Sequence, residues 1–189
     1  RTIGNRVCAS TRRFESCPRR LMRYKNIKNR ELHRIVSTAI IHKNRKYLIT
    51  QRSFEKKAFP GKWTLPGGGL EVDDYINTRP TTKNNIWYFA LEDSLRREIK
   101  EEAGIEMGKI DYLLDLALIR PDNIPVLTLS FYAPYKKGKV KLNSESINYA
   151  WVSAREAEKY DLIEGILQEI QMVARTLRKK VLNKKNFFK

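Results

Sequence analysis

The sequence predicts an α/β (α+β) fold in which one mixed β-sheet packs against helices. Apolar and β-branched runs of the kind found in strands occupy residues 33–53, 109–135 and 147–154. Helical periodicity is found instead in residues 90–104 and 153–182. This order of strands and helices suits a mixed sheet with helices packed on it.

The first half of the domain is predicted to begin with two strands, within residues 33–53, that flank a turn at His42–Arg45. Residues 54–69 are expected to be loop-like around a short strand, because proline and glycine punctuate them and close the segment at Pro66–Gly69. Residues 75–89 are polar and turn-rich before they end in three aromatic side chains. We therefore expect a loop whose end folds back onto the body of the domain.

Residues 90–104 give the clearest helix signal. The segment has no internal proline or glycine, carries acids in its first turn and stops at Gly104. An apolar row at four-residue spacing can face the core; it consists of Leu95, Ile99 and Ala103. The adjoining strip carries three carboxylates: Glu98, Glu101 and Glu102.

The second half is predicted to contain two strands, 109–121 and 124–135, and a third at 147–154. Ser153, followed three residues later by a glutamate, is the sequence pattern of a capping box and indicates a first short helix. A longer amphipathic helix follows over residues 162–173, whose apolar side chains recur with helical spacing.

The charge distribution separates two tails from the body of the chain. The formal net charge of the 189-residue chain is +17, but residues 1–30 contribute +9 and residues 175–189 contribute +7, which leaves residues 31–174 nearly neutral. Basic tails can bind nucleic acid or anionic lipid, or can simply be solubilising ends. Nucleic-acid binding through them is possible but not favoured.

The organisation expected from these patterns is one domain with two extensions. Residues 1–21 have no hydrophobic period and are interpreted as a non-native or disordered basic extension. The domain spans residues 22–174, and a basic tail covers 175–189. No apolar run reaches the length of about 20 residues that a membrane span needs. With no secretory signal in view, a cytoplasmic location is expected, and the oligomeric state cannot be read from the sequence.

The three glutamates of the 90–104 helix pose a chemical question. Carboxylates at i, i+3 and i+4 lie within about 5–6 Å on a helix surface and repel each other. They form either an exposed charged face or a site for a cation. Mg²⁺ accepts few protein carboxylates and bridges to substrate phosphates, and the glycines of Pro66–Gly69 allow backbone to approach closely. The pattern outlines a metal-dependent phosphoanhydride hydrolase.

Two stretches, "PGGGLEVDD" and "REIKEEAGI", together resemble the signature of the Nudix hydrolase family, Gly-x5-Glu-x7-Arg-Glu-U-x-Glu-Glu-x-Gly-U with U aliphatic. The second half matches at every defined position: Arg97, Glu98, Ile99, Glu101, Glu102, Gly104 and Ile105. The resemblance extends over about residues 33–174. It implies a Nudix-type α/β/α sandwich with a mixed sheet and a catalytic loop-helix.

The first half of the signature departs from the family pattern. With five residues between them, Gly68 is followed by Asp74 instead of glutamate, and Arg97 comes 23 positions after Asp74 where the family expects eight. About 15 extra residues, 75–89, are therefore inserted before the catalytic helix. Whether Asp74 takes the place of the family's accessory glutamate stays open.

The resemblance implies roles for particular residues. Metal binding, to Mg²⁺ or Mn²⁺, falls to the helix acids and to the carbonyl of the glycine loop: Glu98, Glu101, Glu102 and Gly67. Catalytic roles as base, or in bracing the acids by ion pairing, fall to Glu101, Glu102, Arg97 and Glu145, the last in a loop. Substrate contacts are expected from Arg52, Gly68, Trp87 in the insertion, and Pro121.

The family cleaves nucleoside diphosphates linked to another moiety, so a small nucleotide derivative is the expected partner. Pro121 follows the signature where ADP-ribose-type members tend to carry a proline, which favours a nucleoside-diphosphate sugar. The alternatives are a nucleoside triphosphate or oxidised-nucleotide diphosphatase, and a Nudix-like RNA-binding or regulatory domain. The last usually loses the signature glutamates, whereas this chain keeps all three. An isopentenyl-diphosphate isomerase needs a catalytic cysteine, and residues 18–189 contain none.

Overall fold

The computed structural model describes residues 32–186, with side chains described as far as Lys180. The predicted extension at 1–21 and the last three residues lie outside the described part. None of the described helices is long and apolar enough to cross a membrane.

An eight-stranded sheet forms the centre of the domain. Its strands, in chain order, are β1 (Arg34–Lys43), β2 (Lys46–Arg52), β3 (Trp63–Thr64), β4 (Gly67–Gly69), β5 (Glu106–Met107), β6 (Asp111–Ile119), β7 (Pro125–Lys137) and β8 (Ser146–Val152). The helices are α1 (Asp73–Ile76), α2 (Ala90–Ala103) and α3 (Ile166–Asn186), with a short 3₁₀ helix at Glu156–Lys159.

The sheet is mixed, as predicted. β1 runs parallel to β7 over its whole described pairing, while β2 and β4 pair with β1 in antiparallel fashion. β8 and β3 extend the sheet beyond β2, and β6 and β5 extend it beyond β7. The β1–β2 hairpin turns through Asn44 and Arg45, both at positive φ, which is the geometry that matches the twist of the two strands.

Helices cover both faces of the sheet, which confirms the predicted sandwich. Alternate residues of a strand point to opposite faces, so Ala39 and Ile41 pack with α2 while Ile40 packs with α3. On the α2 side the predicted apolar row is buried: Leu95, Ile99 and Ala103. On the α3 side the helix contributes Ile166, Ile170 and Val173.

Three local expectations differ from the structure. The glycines at 67–69 form strand β4 on the edge of β1 instead of a loop. The final helix begins at Ile166, not at residue 162, because the Ile163 amide donates to the Trp63 carbonyl and Leu162 bridges to β3. That helix runs on to Asn186, so the expected boundary between domain and tail at 174 falls inside α3.

The predicted capping box is present in the turn that leads into the 3₁₀ helix. The Ser153 amide donates to Glu156 Oε2 at 2.7 Å, and the Glu156 amide donates to Ser153 Oγ at 3.2 Å. Reciprocal bonds of this kind satisfy amides that a helix start leaves without partners. The chain is thereby turned from β8 toward the start of α3.

Candidate active site

The glycine strand β4 lies directly against the acidic face of α2. The Gly67 amide donates to Glu102 Oε2 at 2.9 Å, which fixes this carboxylate from 35 residues away. Gly67 has a φ of +147°, and a Cβ there would lie 2.2 Å from the Ser37 carbonyl oxygen. A Cβ on Gly68 would lie 2.2 Å from the carboxyl carbon of Glu98. Glycine at 67 therefore lets β4 lie close against β1, and glycine at 68 lets the strand approach Glu98.

Arg97 is surrounded by three carboxylates. Its Nε donates to Asp74 Oδ1 at 2.5 Å, its Nη2 to Glu98 Oε1 at 2.9 Å and its Nη1 to Glu101 Oε2 at 2.8 Å. A guanidinium group offers donors in a fixed planar fork, so it can hold several carboxylates in defined positions at once. The arrangement braces the acidic face of α2.

Asp74, whose place in the signature the sequence left open, lies against Arg97. Its side chain is only 5% exposed and accepts hydrogen bonds from Arg97, from Ser94 Oγ at 2.7 Å and from the Glu71 amide at 2.8 Å. Burial alone would raise its pKa, but these three donors together hold the pKa of Asp74 below its usual value. Despite the following insertion, Asp74 therefore braces Arg97, which also binds the helix acids Glu98 and Glu101.

The insertion contributes the last two residues of α1 and then consists mainly of turns. Trp87 packs against Tyr75 with ring centroids 5.4 Å apart, and its indole N–H donates to the Thr78 carbonyl at 3.1 Å. Trp87 does not line the cleft described below. Its expected contact with substrate thus finds no support in this arrangement.

A cleft of about 460 Å³ opens beside the glutamates. It runs over β4 and along the sheet face beneath the start of α3. Among the expected site residues, it is lined by Arg52, Gly67, Gly68, Glu98, Glu102 and Glu145. Glu101 and Pro121 are not part of the lining; Glu101 is half exposed and held by Arg97, and Pro121 lies exposed in the β6–β7 turn.

Two basic side chains of the lining stand close to the acids. Arg52, the last residue of β2, donates from Nε to the Ala58 carbonyl at 3.0 Å. Burial lowers its pKa, while the charges of Glu102 and Glu145 act in the opposite direction. Glu145, just before β8, is paired with Lys56 at 2.6 Å. The loop acid that the resemblance suggested is thus brought to the same cleft as the helix glutamates.

The protonation of the helix acids reflects their burial. Burial raises the pKa of Glu102 to about 7, with the Glu98 and Glu145 charges acting in the same direction and the Gly67 hydrogen bond opposing them. Burial also raises the pKa of Glu98, against the neighbouring Arg97. The face of α2 that borders the cleft therefore carries more negative than positive charge, and a cation bound there would stabilise the ionised carboxylates.

The donor set fits a hard divalent cation. Within the described part of the chain no three acidic, histidine or cysteine side chains already form a metal cluster. Mg²⁺, however, is commonly held by one or two carboxylates together with waters and substrate phosphates. Glu98 and Glu102 supply those two carboxylates at the mouth of the cleft.

Several lining residues were not anticipated from the sequence: Arg34, Lys56, Arg120 and Glu169. Arg120 precedes Pro121, and its Nη2 donates to Asp122 at 2.7 Å. Glu169 lies on the apolar side of α3 between Ile166 and Ile170, and an acid in such a row is the sequence signal that could have identified it.

Comparisons with known proteins agree with this geometry. The NUDIX domain family model matches residues 31–170. The nucleoside triphosphatase NudI of Escherichia coli O17:K52:H18 is 30% identical over 139 residues, which covers 68% of this chain and 88% of the relative.

Solved structures share the fold. The MutT protein of Methanosarcina mazei Go1 is similar with a TM-score of 0.58 and 26% identity, covering 78% of this chain and 97% of that one. The NUDIX domain of Shewanella oneidensis NrtR, complexed with ADP ribose, has a TM-score of 0.60 at 19% identity and covers 78% and 90% of the two chains. The chain therefore belongs to the Nudix hydrolase family and is an enzyme that hydrolyses phosphoanhydride bonds in nucleotide derivatives.

Proposed function

We propose that this enzyme is a magnesium-dependent nucleoside triphosphate diphosphatase, which releases a nucleoside monophosphate and inorganic diphosphate. The observation that carries the proposal is the convergence of Glu98 and Glu102 at a cleft that also holds Arg52 and Arg120. Two carboxylates suit a metal ion, and two arginines suit the remaining phosphate charge. The NudI relative is a nucleoside triphosphatase, which supports the same substrate class.

A nucleoside-diphosphate sugar such as ADP-ribose, which the sequence favoured, loses its main support. That preference depended on Pro121, which lies exposed in a turn and outside the cleft lining. Proline is common in turns for conformational reasons alone. The likeness to an ADP-ribose complex concerns a chain of 19% identity and bears on the fold only.

The residues of the cleft divide the work of hydrolysis. Glu98 and Glu102 would hold the divalent ion, with the Gly67 carbonyl available as a further oxygen ligand. When bound, the ion would neutralise charge on the phosphate oxygens and lower the pKa of a coordinated water. Arg52 and Arg120 orient the phosphate chain by paired N–H donation.

Glu145 is the residue best placed to take the proton of the attacking water. It lines the cleft and stands close enough to Glu98 and Glu102 to influence the pKa of each. Its pairing with Lys56 at 2.6 Å holds it beside the cleft, and a general base must lie within reach of the proton that it takes. Glu101 is held by Arg97 outside the lining, so we assign it to bracing of the helix acids rather than to proton transfer.

The test is a hydrolysis panel with Mg²⁺ that includes nucleoside triphosphates, ADP-ribose, other nucleoside-diphosphate sugars and dinucleoside polyphosphates. We expect turnover of triphosphates to monophosphate and diphosphate. Glu102→Gln should abolish turnover and leave the fold intact. Glu106→Gln, which removes an equal charge from a surface ion pair, is the matched control. Preferential cleavage of ADP-ribose, or wild-type turnover by Glu102→Gln, would overturn the proposal.

A further inference from the structure

The cleft contains polar atoms that the protein itself leaves without partners. Among the described residues, three buried side-chain polar atoms have no hydrogen-bond partner: Ser37 Oγ, Arg120 Nε and Glu169 Oε2. Arg120 and Glu169 both line the cleft. Buried polar groups are normally satisfied, so an unpartnered pair in one cleft points to complementary groups on a ligand. A phosphate oxygen satisfies the arginine; the acceptor on Glu169 requires a donor.

The carboxyl group of Glu169 is fixed on one side and leaves one oxygen free to accept a hydrogen bond. It lies in the first turn of α3, and the residue is 5% exposed. The Ser130 hydroxyl hydrogen-bonds to its carboxyl group and partly offsets the rise in its pKa that burial causes. Ser130 is in turn 3.1 Å from the Thr38 hydroxyl. One side of the carboxyl group is therefore anchored to the sheet, while Oε2 is left for a ligand.

Most of the remaining side chains in this part of the cleft are apolar, with Thr128 and Glu164 as polar exceptions. The apolar side chains that surround it on the sheet and on the approach to α3 are Leu116, Leu118, Val126, Ile163 and Ile166. Apolar walls with one or two fixed polar groups are typical of a site that orients a flat, partly polar ring. The basic side chains elsewhere in the lining suit the phosphates of a nucleotide. The apolar part of the cleft is therefore left for its nucleobase.

Building on the proposed function, we propose that Glu169 is a specificity-determining residue whose Oε2 accepts a hydrogen bond from the exocyclic amino group of the substrate's base. Adenine and cytosine carry such an amino donor, whereas a carbonyl oxygen stands at the same ring position in hypoxanthine and uracil. A carbonyl facing a carboxylate oxygen brings two acceptors together and leaves both unsatisfied. The cleft therefore favours amino-bearing bases over their carbonyl counterparts.

The experiment compares two pairs of nucleotides that differ at this one position, CTP with UTP and ATP with ITP, at mildly alkaline pH. In the wild type we expect kcat/KM to be higher for the amino member of each pair. In Glu169→Gln the amide can donate to a carbonyl, so the amino-to-carbonyl ratio should fall about 10-fold or more. Glu158→Gln, an exposed acid outside the cleft, should leave the ratio at its wild-type value.

A second readout does not depend on turnover. Calorimetric titration of the same nucleotides without metal should show the same change of ratio in the affinities. If nucleotides bind with this ratio but none is hydrolysed, the proposed function fails and the role of Glu169 stands. If triphosphates are hydrolysed and the ratio is the same in wild type and Glu169→Gln, the role of Glu169 is refuted alone. Should Glu169→Gln not fold, Glu169→Asp keeps the charge and shortens its reach, and an unchanged ratio in that variant refutes the proposal equally.

Discussion

Replacing Asp74 by asparagine tests how the active site is braced across the insertion. The carboxylate accepts three hydrogen bonds, from Arg97, Ser94 and the Glu71 amide, and its side chain is 5% exposed. Asparagine keeps one acceptor oxygen and places an NH₂ group against one of the donors. Hydrogen bonds to charged groups contribute about 1.5–3 kcal/mol each.

The stability cost follows from the exposure of the two partners. Arg97 is about one third exposed, with a side-chain value of 34%, so water compensates part of its lost charge. We therefore expect Asp74→Asn to lower the free energy of unfolding by about 2–3 kcal/mol, below the cost of breaking a fully buried pair. For a chain of this size that corresponds to a fall in Tm of about 5–10 °C. Asp73→Asn, which removes an exposed neighbouring charge, is the matched control.

The same variant should lose activity. Without Asp74, Arg97 no longer holds Glu98 and Glu101 at fixed positions, and a displacement near 1 Å in a catalytic group can cost about 100-fold in rate. Chemical denaturation and steady-state kinetics measure both effects. An unfolding free energy and a kcat equal to those of Asp73→Asn would refute the bracing role.

The pKa of Asp74 adds a pH dependence with a definite sign. Its pKa is lower in the folded state, so its contribution to stability is complete above the unfolded pKa of about 3.9 and is lost as pH falls through the folded value. The stability difference between wild type and Asp74→Asn should thus shrink below about pH 4. A difference that stays constant on acidification would contradict the assignment.

Three further variants separate stability from chemistry. Gly68→Ala places a Cβ 2.2 Å from the carboxyl carbon of Glu98. Because the Glu98 side chain can move away, we expect a small change in Tm but about a 100-fold loss of kcat. A loss of stability without loss of rate would contradict this. Glu145→Gln should lower kcat by about 10²–10⁴-fold with KM little changed, as expected for a general base; a rise in KM alone, in the same kinetic assay, would assign Glu145 to binding. Trp87→Leu removes the ring contact with Tyr75 and should lower Tm while KM stays at the wild-type value, because Trp87 lies outside the cleft; a raised KM would place the insertion at the substrate.

The parts of the site that could be predicted from sequence are those fixed by local geometry. Glu98 and Glu102 are four residues apart on one helix, so their convergence follows from the helix alone. The need for glycine at 68 follows from the close approach of backbone to Glu98, whereas glycine at 67 is set by the packing of β4 against the Ser37 carbonyl of β1. The core row of α2 likewise follows from its periodicity.

What could not be predicted depends on how distant elements pack. The apolar row of α3 marks Glu169 as unusual, but the contact between its carboxyl group and Ser130 of β7 depends on how α3 packs on the sheet, which no local pattern encodes. The sequence predicts too early a start for α3 because packing between distant elements also decides this point. Leu162 and Ile163 continue the apolar period, but their backbone pairs with Trp63 of β3 instead of entering the helix.

The insertion shows why the spacing within the signature can vary while its geometry does not. Gly67 and Glu102 meet because β4 is held on β1 and α2 is held on the same sheet by buried side chains. Asp74 and Arg97 then meet across the 23 positions that separate them, since lengthening a surface loop costs little once its ends are fixed by packing. The added residues close on themselves through Trp87 and do not line the cleft. Selectivity must therefore be sought at the opposite wall of the cleft, which α3 forms. Among the described residues, the only buried carboxyl oxygen of the lining without a hydrogen-bond partner, Glu169 Oε2, lies there.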